Sequence, residues 1–347
     1  MRAVYFEEFG QAPVIREVPD PVASPGGVVV RVQTTGLCRS DVHGWLGHDD
    51  GIALPHVPGH ELVGVIEQIG ANVTGFAPGQ RVTTPFVCAC GRCPECLGGN
   101  AQVCRNQTQP GFTHWGSYAE LVALHDAELN LIPVPDEMDA GAAALLGCRF
   151  ATAFRGLVHQ SALQPDEWLL VVGCGGVGLS AVMIGRAIGA RVIAVDISDG
   201  ALATAARLGA EHTINTDGVE QGEILSTIRA ITGEAGVDVS VEALGREATV
   251  ALAILSLAPR GRHVQIGLLA NDPVVPMSAI IAGELTIRGS HGMPASDYPE
   301  LLALVASGAL RPQELIDQHI GLDEVPEAML RMSRGELTGV TVIDVAA

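Results

Sequence analysis

The chain has 347 residues, 48% of them hydrophobic and 17% charged, which excludes a disordered polymer and gives length enough for two domains with their own cores. A formal net charge of −19 and a pI near 4.8 exclude sequence-independent binding to nucleic acid or to an acidic membrane surface. No apolar run reads as long enough or free enough of Gly and charge to span a bilayer, and the start, MRAVYFEEFG, lacks the apolar segment of a secretory leader, so a cytoplasmic location is expected.

The first third of the chain alternates short β-rich runs with Gly and Pro. GGVVVRVQTTG (26–36), LVGVIEQIG (62–70) and RVTTPF (81–86) are expected strands with turn residues at their ends. They describe an irregular β domain with metal-binding loops. Cys38 lies in GLCRSDVH, His60 in PGHE and, further on, Cys148 in LGCRFAT. Two thiolates and one imidazole are a zinc donor set that leaves the fourth tetrahedral position open, and an open position is where chemistry takes place. The three lie far apart in sequence, so only folding can bring them together.

Five of the eight cysteines crowd between Cys88 and Cys104, a pattern of metal binding and not of a disulfide framework. Cys90, Cys93, Cys96 and Cys104 have the spacing C-x2-C-x2-C-x7-C. Four thiolates this close can fill every position on one structural zinc. Ordinary thiols and an iron–sulfur cluster are the competing readings. Cys88 falls outside the spacing and reads as a spare buried thiol.

Near residue 150 the pattern changes. WLLVV (168–172), RVIAVD (191–196), VDVSVEA (237–243), RHVQIG (262–267) and LTIRGS (285–290) are expected strands, separated by helical stretches. This alternation predicts a doubly wound parallel sheet with helices on both faces. After LTIRGS one helix and a last strand, VTVIDV, are expected, and this tail returns to the first domain. Gly173, Gly175, Gly176, Val177 and Gly178 stand in a G-x-G-x-x-G run that directly follows WLLVV and opens a helix, the context of dinucleotide binding. Asp196 ends the next strand, placed to accept hydrogen bonds from the adenosine ribose and to repel a 2′-phosphate, so NAD is the expected cofactor. Its bland reading is a helix cap or turn residue.

With these residues in view, the chain resembles the zinc-containing alcohol dehydrogenases of the medium-chain dehydrogenase/reductase superfamily. GLCRSDVH, PGHE, the four-cysteine lobe, GFTHWGSYAE, LGCRFAT and the glycine loop occur in family order, nearly end to end. The segments CRSDVHGWLG and GFTHWGSYAE are most similar to the yeast and bacterial tetrameric members. The resemblance implies an α/β protein. A GroES-like irregular β catalytic domain would span 1–149 and 290–347, with a structural zinc lobe at 88–104, and a Rossmann domain would span 150–289. It implies two zinc ions per chain, one held by Cys38, His60 and Cys148 and one by the four clustered cysteines. Ser40 would touch the substrate oxygen and His43 would end a proton relay that runs through a ribose hydroxyl. Asp41 would orient His60, Glu61 would lie behind the metal, and Arg39 would bind the pyrophosphate. Ile266 and Gly267 are further cofactor-binding positions, and Trp45, Phe86 and Trp115 are expected walls of the substrate pocket. For each aromatic, simple core packing is the bland reading, as a surface histidine is for His43. His48, His56, His114, His125 and His291 show no ligand pattern and default to structural or surface roles.

The chain departs from the family in two respects: an arginine often found near the C-terminus is absent, with Gly339 or Val340 in its place, and no lysine follows Asp196, where the run is DISDGA. The expected activity is reversible hydride transfer between a small alcohol and NAD, giving an aldehyde or ketone, by a homodimer or homotetramer. Polyol, amino-alcohol or formaldehyde-linked dehydrogenases are the alternative within the superfamily. A non-enzymatic zinc- and nucleotide-binding protein is the alternative outside it, disfavoured by the intact set Cys38, Ser40, His43, His60 and Cys148.

Overall fold

The nine-residue strand Val28–Gly36 is buried along almost its whole length, because Val28, Val29, Val30 and Val32 cover both of its faces. A computed structural model describes residues 1–337 and 339–345 and divides the chain into two compact units. The first joins Met1–Ala151 to Gly292–Ala303 and Pro312–Ala347; the second joins Thr152–His291 to Leu304–Arg311.

In the first unit Val28–Gly36 is the hub of a seven-stranded sheet. It pairs antiparallel with Leu62–Ile69, Leu121–Leu124 and Val340–Asp344. Its ladder is interrupted between Val29 and Val30 and again between Val32 and Thr34, irregularities that bend a strand and increase its twist. Val30, Val32, Leu62, Ile66, Val82 and Leu124 build the core beneath it, and each fully buried aliphatic side chain contributes roughly 1.5–3 kcal/mol relative to exposure. The strand ends at Gly36, and after Leu37 and Cys38 the helix Arg39–Trp45 begins. Cys38 holds the extended conformation of an N-cap, and its backbone N–H donates to the Asp41 carboxylate at 3.1 Å.

The second unit is a six-stranded sheet in the spatial order His212–Asn215, Arg191–Asp196, Trp168–Val172, Val237–Glu242, Leu257–Gln265, Thr286–Gly289, parallel throughout. All five residues of Trp168–Val172 are buried, as a central strand covered on both faces requires. The strand order reverses beside this strand, so the loop that leaves its C-terminal end stands at the topological switch point.

Three expectations are corrected here. The tail holds two helices, Tyr298–Ala306 and Val325–Ser333, with an additional strand, Ile316–Gly321, between them. That strand and His212–Asn215 are polar and largely exposed edge strands, so neither carries the apolar alternation that marks a strand. The stretch Ala140–Gln160 is 21 residues long and apolar enough by composition to cross a membrane. Its most apolar window is 89% buried inside the protein, which makes it a core helix.

Candidate active site

Cys38 caps its helix, His60 precedes the strand Leu62–Ile69, and Cys148 lies in a π-helical turn, Leu146–Phe150. A π-turn shifts the side-chain direction within a helix and recurs at functional sites. Ligand atoms of Cys38, His60, Glu61 and Cys148 all lie within 4.8 Å of one another. The structure thus brings together the three residues read as an open zinc set, with Glu61 beside them.

His60 is 1% exposed and its Nδ1 lies 2.9 Å from Asp41 Oδ1. Its Nε2 is buried with no hydrogen-bond partner. An orphaned imidazole nitrogen beside two thiols is costly unless a cation takes its lone pair. Asp41 accepts four hydrogen bonds: from His60, from the Gly59 and Cys38 N–H groups, and from the Tyr118 hydroxyl at 2.6 Å. A carboxylate bound this way keeps the proton of His60 on Nδ1 and its lone pair on Nε2. The Cys38 thiol is pushed well below its usual value, first by a hydrogen bond from Cys148, against burial, and then by His60. Its donor, Cys148, is pushed well above. The donor set fits zinc.

Sequence reasoning missed Arg149, which is 3% exposed. Its Nε lies 2.9 Å from both oxygens of Glu61, its Nη2 contacts Glu61 and Leu37 O, and its backbone N–H donates to Glu61 as well. Burial raises the Glu61 carboxyl while Arg149 lowers it. A buried pair of this kind adds little net stability but fixes a carboxylate in place. Phe86 meets the His60 ring edge-on at 6.1 Å, and Phe112, which sequence reasoning passed over inside GFTHWGSYAE, lies at 5.2 Å.

Ser40 and His43 are three residues apart on one helix, so they share a face; Ser40 is half-buried and His43 exposed. Arg39 is exposed and donates from Nη1 to Met332 O at 2.9 Å. Two expected pocket walls stand elsewhere. Trp45 is 3% exposed within the main core and donates from Nε1 to Gln11 O, because its helix turns that face inward. Trp115 packs edge-on against Tyr5 and lines a pocket with Leu54, Pro55 and His56. Neither is brought against His60 as the two phenylalanines are. Of the two positions where the resemblance would place an arginine, Gly339 precedes the last strand and Val340 starts it, 1% exposed, so an apolar side chain fills this place in the core.

The ligand atoms of Cys90, Cys93, Cys96 and Cys104 also lie within 4.8 Å of one another, and all are free thiols. Backbone N–H groups of Cys90 and Asn106 donate to Cys104 Sγ. Cys90 is drawn down to about 6, first by the Arg92 backbone N–H. The set fits a closed four-thiolate metal site. Cys88 stays apart beside Thr84, with its thiol pushed up to about 11 by burial.

In the second unit, Gly173 sits at φ +95° and a side chain at Gly178 would collide with Gly173 O at 1.7 Å, so strand and helix approach as only glycine permits. A Cβ at Gly175 would meet nothing within 4 Å, which leaves open space over the N-terminus of the helix Gly176–Ile188. Free N–H groups and the helix dipole make that space a phosphate cradle. Val177 lies in its first turn. Asp196 accepts from the Cys174 N–H at 2.7 Å and the Ser198 N–H at 2.9 Å, which ties its carboxylate to the glycine loop. The N–H groups of Ile266 and Gly267 both donate to Glu242 O at 3.0 Å. The Glu242 side chain, missed in the sequence, is fully buried and accepts from Leu244, Gly245, Thr249 and Gln265.

The family of alcohol dehydrogenase GroES-like domains matches residues 24–136, and the family of zinc-binding dehydrogenases matches residues 176–307. An alcohol dehydrogenase of Moraxella sp. is 33% identical over 99% of both chains. An NAD-dependent alcohol dehydrogenase of Saccharolobus solfataricus is 31% identical, again over 99% of both. The solved structure of an alcohol dehydrogenase from Thermus sp. superposes with a TM-score of 0.90 at 32% identity, covering 99% of this chain and 100% of that one.

Proposed function

The chain belongs to the zinc-containing alcohol dehydrogenases of the medium-chain dehydrogenase/reductase superfamily, and from that premise we propose that it catalyses reversible hydride transfer between a small alcohol and NAD. The observation that carries the reading is the orphaned Nε2 of His60 beside the thiols of Cys38 and Cys148. Each chain holds two zinc ions, one at that site and one among Cys90, Cys93, Cys96 and Cys104. The protein works in the cytoplasm, where its eight free cysteines stay reduced, as a homodimer or homotetramer.

When bound, zinc supplies a Lewis acid that makes an alcohol hydroxyl acidic, and NAD supplies the hydride acceptor. The protein does the rest. Asp41 fixes the tautomer of His60 from behind, itself held by Tyr118 and two backbone N–H groups. Glu61 is restrained by Arg149 near the same ligands. Phe86 and Phe112 flank the imidazole with apolar surface that excludes water. The Ser40 hydroxyl both donates and accepts, so it can take the substrate proton and pass one on. His43, at the exposed end of the same helical face, takes the proton from the ribose hydroxyl and carries it outward. The glycine loop holds the pyrophosphate, and Asp196 reads the ribose diol.

The test is a panel of primary and secondary alcohols, polyols, amino-alcohols and thiol adducts, each assayed with NAD and NADP on protein of measured zinc content. Turnover of simple alcohols with NAD, lost when zinc is chelated, is expected. No turnover of any alcohol by zinc-replete protein overturns the reading.

A further inference from the structure

The exposed end of the helix that carries Ser40 and His43 holds a second histidine. His43 Nδ1 and His48 Nδ1 lie 3.2 Å apart, with ring centroids at 5.5 Å and planes tilted by 39°. The approach is built by the backbone. The helix closes with Leu46 N–H on Val42 O and Gly47 N–H on Gly44 O, Gly47 turns the chain at φ +79°, and His48 N–H then donates back to the His43 carbonyl at 3.0 Å. Phe9 packs against that turn, 3.1 Å from where a Cβ on Gly47 would stand. Main-chain geometry thus places His48 beside His43, and the side-chain rotamers complete the approach.

Two imidazoles that meet through Nδ1 share one proton, because one nitrogen must donate and the other accept. We propose that His48 is a positioning and relay residue for alcohol oxidation: its Nδ1 accepts from His43 Nδ1–H and so keeps His43 Nε2 bare, ready for the outgoing proton. The inference rests on the relay role of His43 given above. When Nε2 gains a proton, Nδ1–H passes to His48 Nδ1. His48 then loses its own Nε2 proton to water, leaving the bond between the rings reversed in direction, and proton exchange of both exposed rings with water restores the starting tautomers before the next turnover. One proton enters at His43 and one leaves from His48. His48 is exposed and in contact with solvent, which suits it to the exit.

The surroundings favour a pair that carries a single proton. Partial burial, then Arg39 and His48, push His43 below the ordinary imidazole range, and Cys38 alone opposes them. The loop after His48 carries Asp49, whose carboxylate accepts from the Gly51 N–H, and Asp50. The helix Val325–Ser333, which packs against this one, carries Glu327 and Arg331. A proton on each ring at once would remove the acceptor and break the bond.

The test compares His48→Ala, His48→Asn and His43→Gln in the zinc-loaded, full-length protein. Asn at 48 keeps an acceptor oxygen near the place of Nδ1 but cannot titrate. His48→Ala should lower kcat for alcohol oxidation about three- to tenfold below neutral pH, the size of one neutral hydrogen bond, and leave KM for NAD unchanged. His48→Asn should restore the tautomer but recover only part of the rate, because its amide accepts from His43 and cannot take the proton onward; full recovery by Asn would overturn the relay half of the assignment and leave His48 a positioning residue only. Nitrogen NMR of the free rings should show His43 with a protonated Nδ1 and a bare Nε2 in wild type and in His48→Asn, and a mixture of tautomers in His48→Ala. A slow His43→Gln beside a His48→Ala indistinguishable from wild type in kcat, pH profile and ring tautomer overturns the pair and leaves the His43 relay standing. A His43→Gln with wild-type kcat at every pH overturns the relay itself and the pair with it.

Discussion

Asp41 serves three partners besides its own helix, and that decides what its loss would do. Asn at this position keeps one acceptor oxygen but loses the negative charge, so His60 is no longer held with its lone pair on Nε2. Asp41→Asn should weaken zinc retention at this site about 10- to 100-fold against a competing chelator, with the four-cysteine zinc unaffected. Asp196 makes the parallel case for the cofactor. Its carboxylate is tied to the Cys174 and Ser198 N–H groups, and Ile197 beside it is 62% exposed and offers no cation. A 2′-phosphate would meet like charge there, so kcat/KM should favour NAD over NADP by about a hundredfold or more, roughly 2.7 kcal/mol. Asp196→Ser with Ile197→Arg should narrow or reverse that ratio. The residues legible in the sequence were those whose type announces chemistry inside a local motif: Cys38, His60, Cys148 and the glycines. Tyr118, Arg149, Phe112 and Glu242 were not, because each acts through a neighbour that only the folded chain supplies. Trp45 misled for the converse reason: nearness to Cys38 in sequence says nothing about which helical face it occupies.

At the scale of elements, the lobe around Cys90–Cys104 has little core of its own. Leu97 is 77% exposed and Val103 47%, and the short helices Pro94–Leu97 and Ala101–Val103 are too brief to hold without a metal. Cys96→Ser should halve the zinc content, lower the melting temperature by several degrees and promote aggregation, while the remaining zinc stays with Cys38, His60 and Cys148. Metal analysis with calorimetry reads both effects. The strand Thr286–Gly289 closes one edge of the parallel sheet and is exposed throughout. Ile287, Met277 and Ile281 are 40%, 54% and 71% exposed, an apolar margin beside backbone groups suited to pairing. Light scattering should give a mass of two or four chains, and Ile287→Lys should lower it; a mass of 36.0 kDa for the unmutated protein at micromolar concentration would sink this expectation. LTIRGS was readable as a strand by its β-branched residues. HTIN and IDQHIG were not, since edge strands facing solvent need no apolar period.

For the molecule as a whole, acid should be more damaging than the net charge suggests. Burial pushes the rings of His56, His114, His263 and His291 below the ordinary imidazole range. His114 is lowered to about 4, first by burial and then by His125, whose ring centroid lies 4.7 Å away. Unfolded, such a ring binds its proton near pH 6.5. Stability is therefore fully present above about pH 6.5 and is lost as pH falls from there towards 4, because the unfolded chain binds more protons across that window. Melting temperature against pH should decline through this range, and His114→Gln should flatten the decline. If the mutant and wild-type curves run parallel, His114 is not a source of the acid sensitivity.

The strand Val340–Asp344 pairs with Val28–Gly36, and Leu37 N–H donates to Thr341 O at 3.0 Å, directly beside Cys38. The opening of the sequence is thus braced by its far end, with the whole parallel-sheet unit spelled out between them. The strand that braces the neighbourhood of Cys38 lies far from it in sequence, so the first sheet is complete only when both segments have been made. The nucleotide-binding unit can fold while the first sheet still waits for its final partner. Removal of Val340–Asp344 is therefore expected to loosen the loop that carries Cys38 together with the sheet, and faster modification of Cys38 by a thiol reagent in such a truncation would show it.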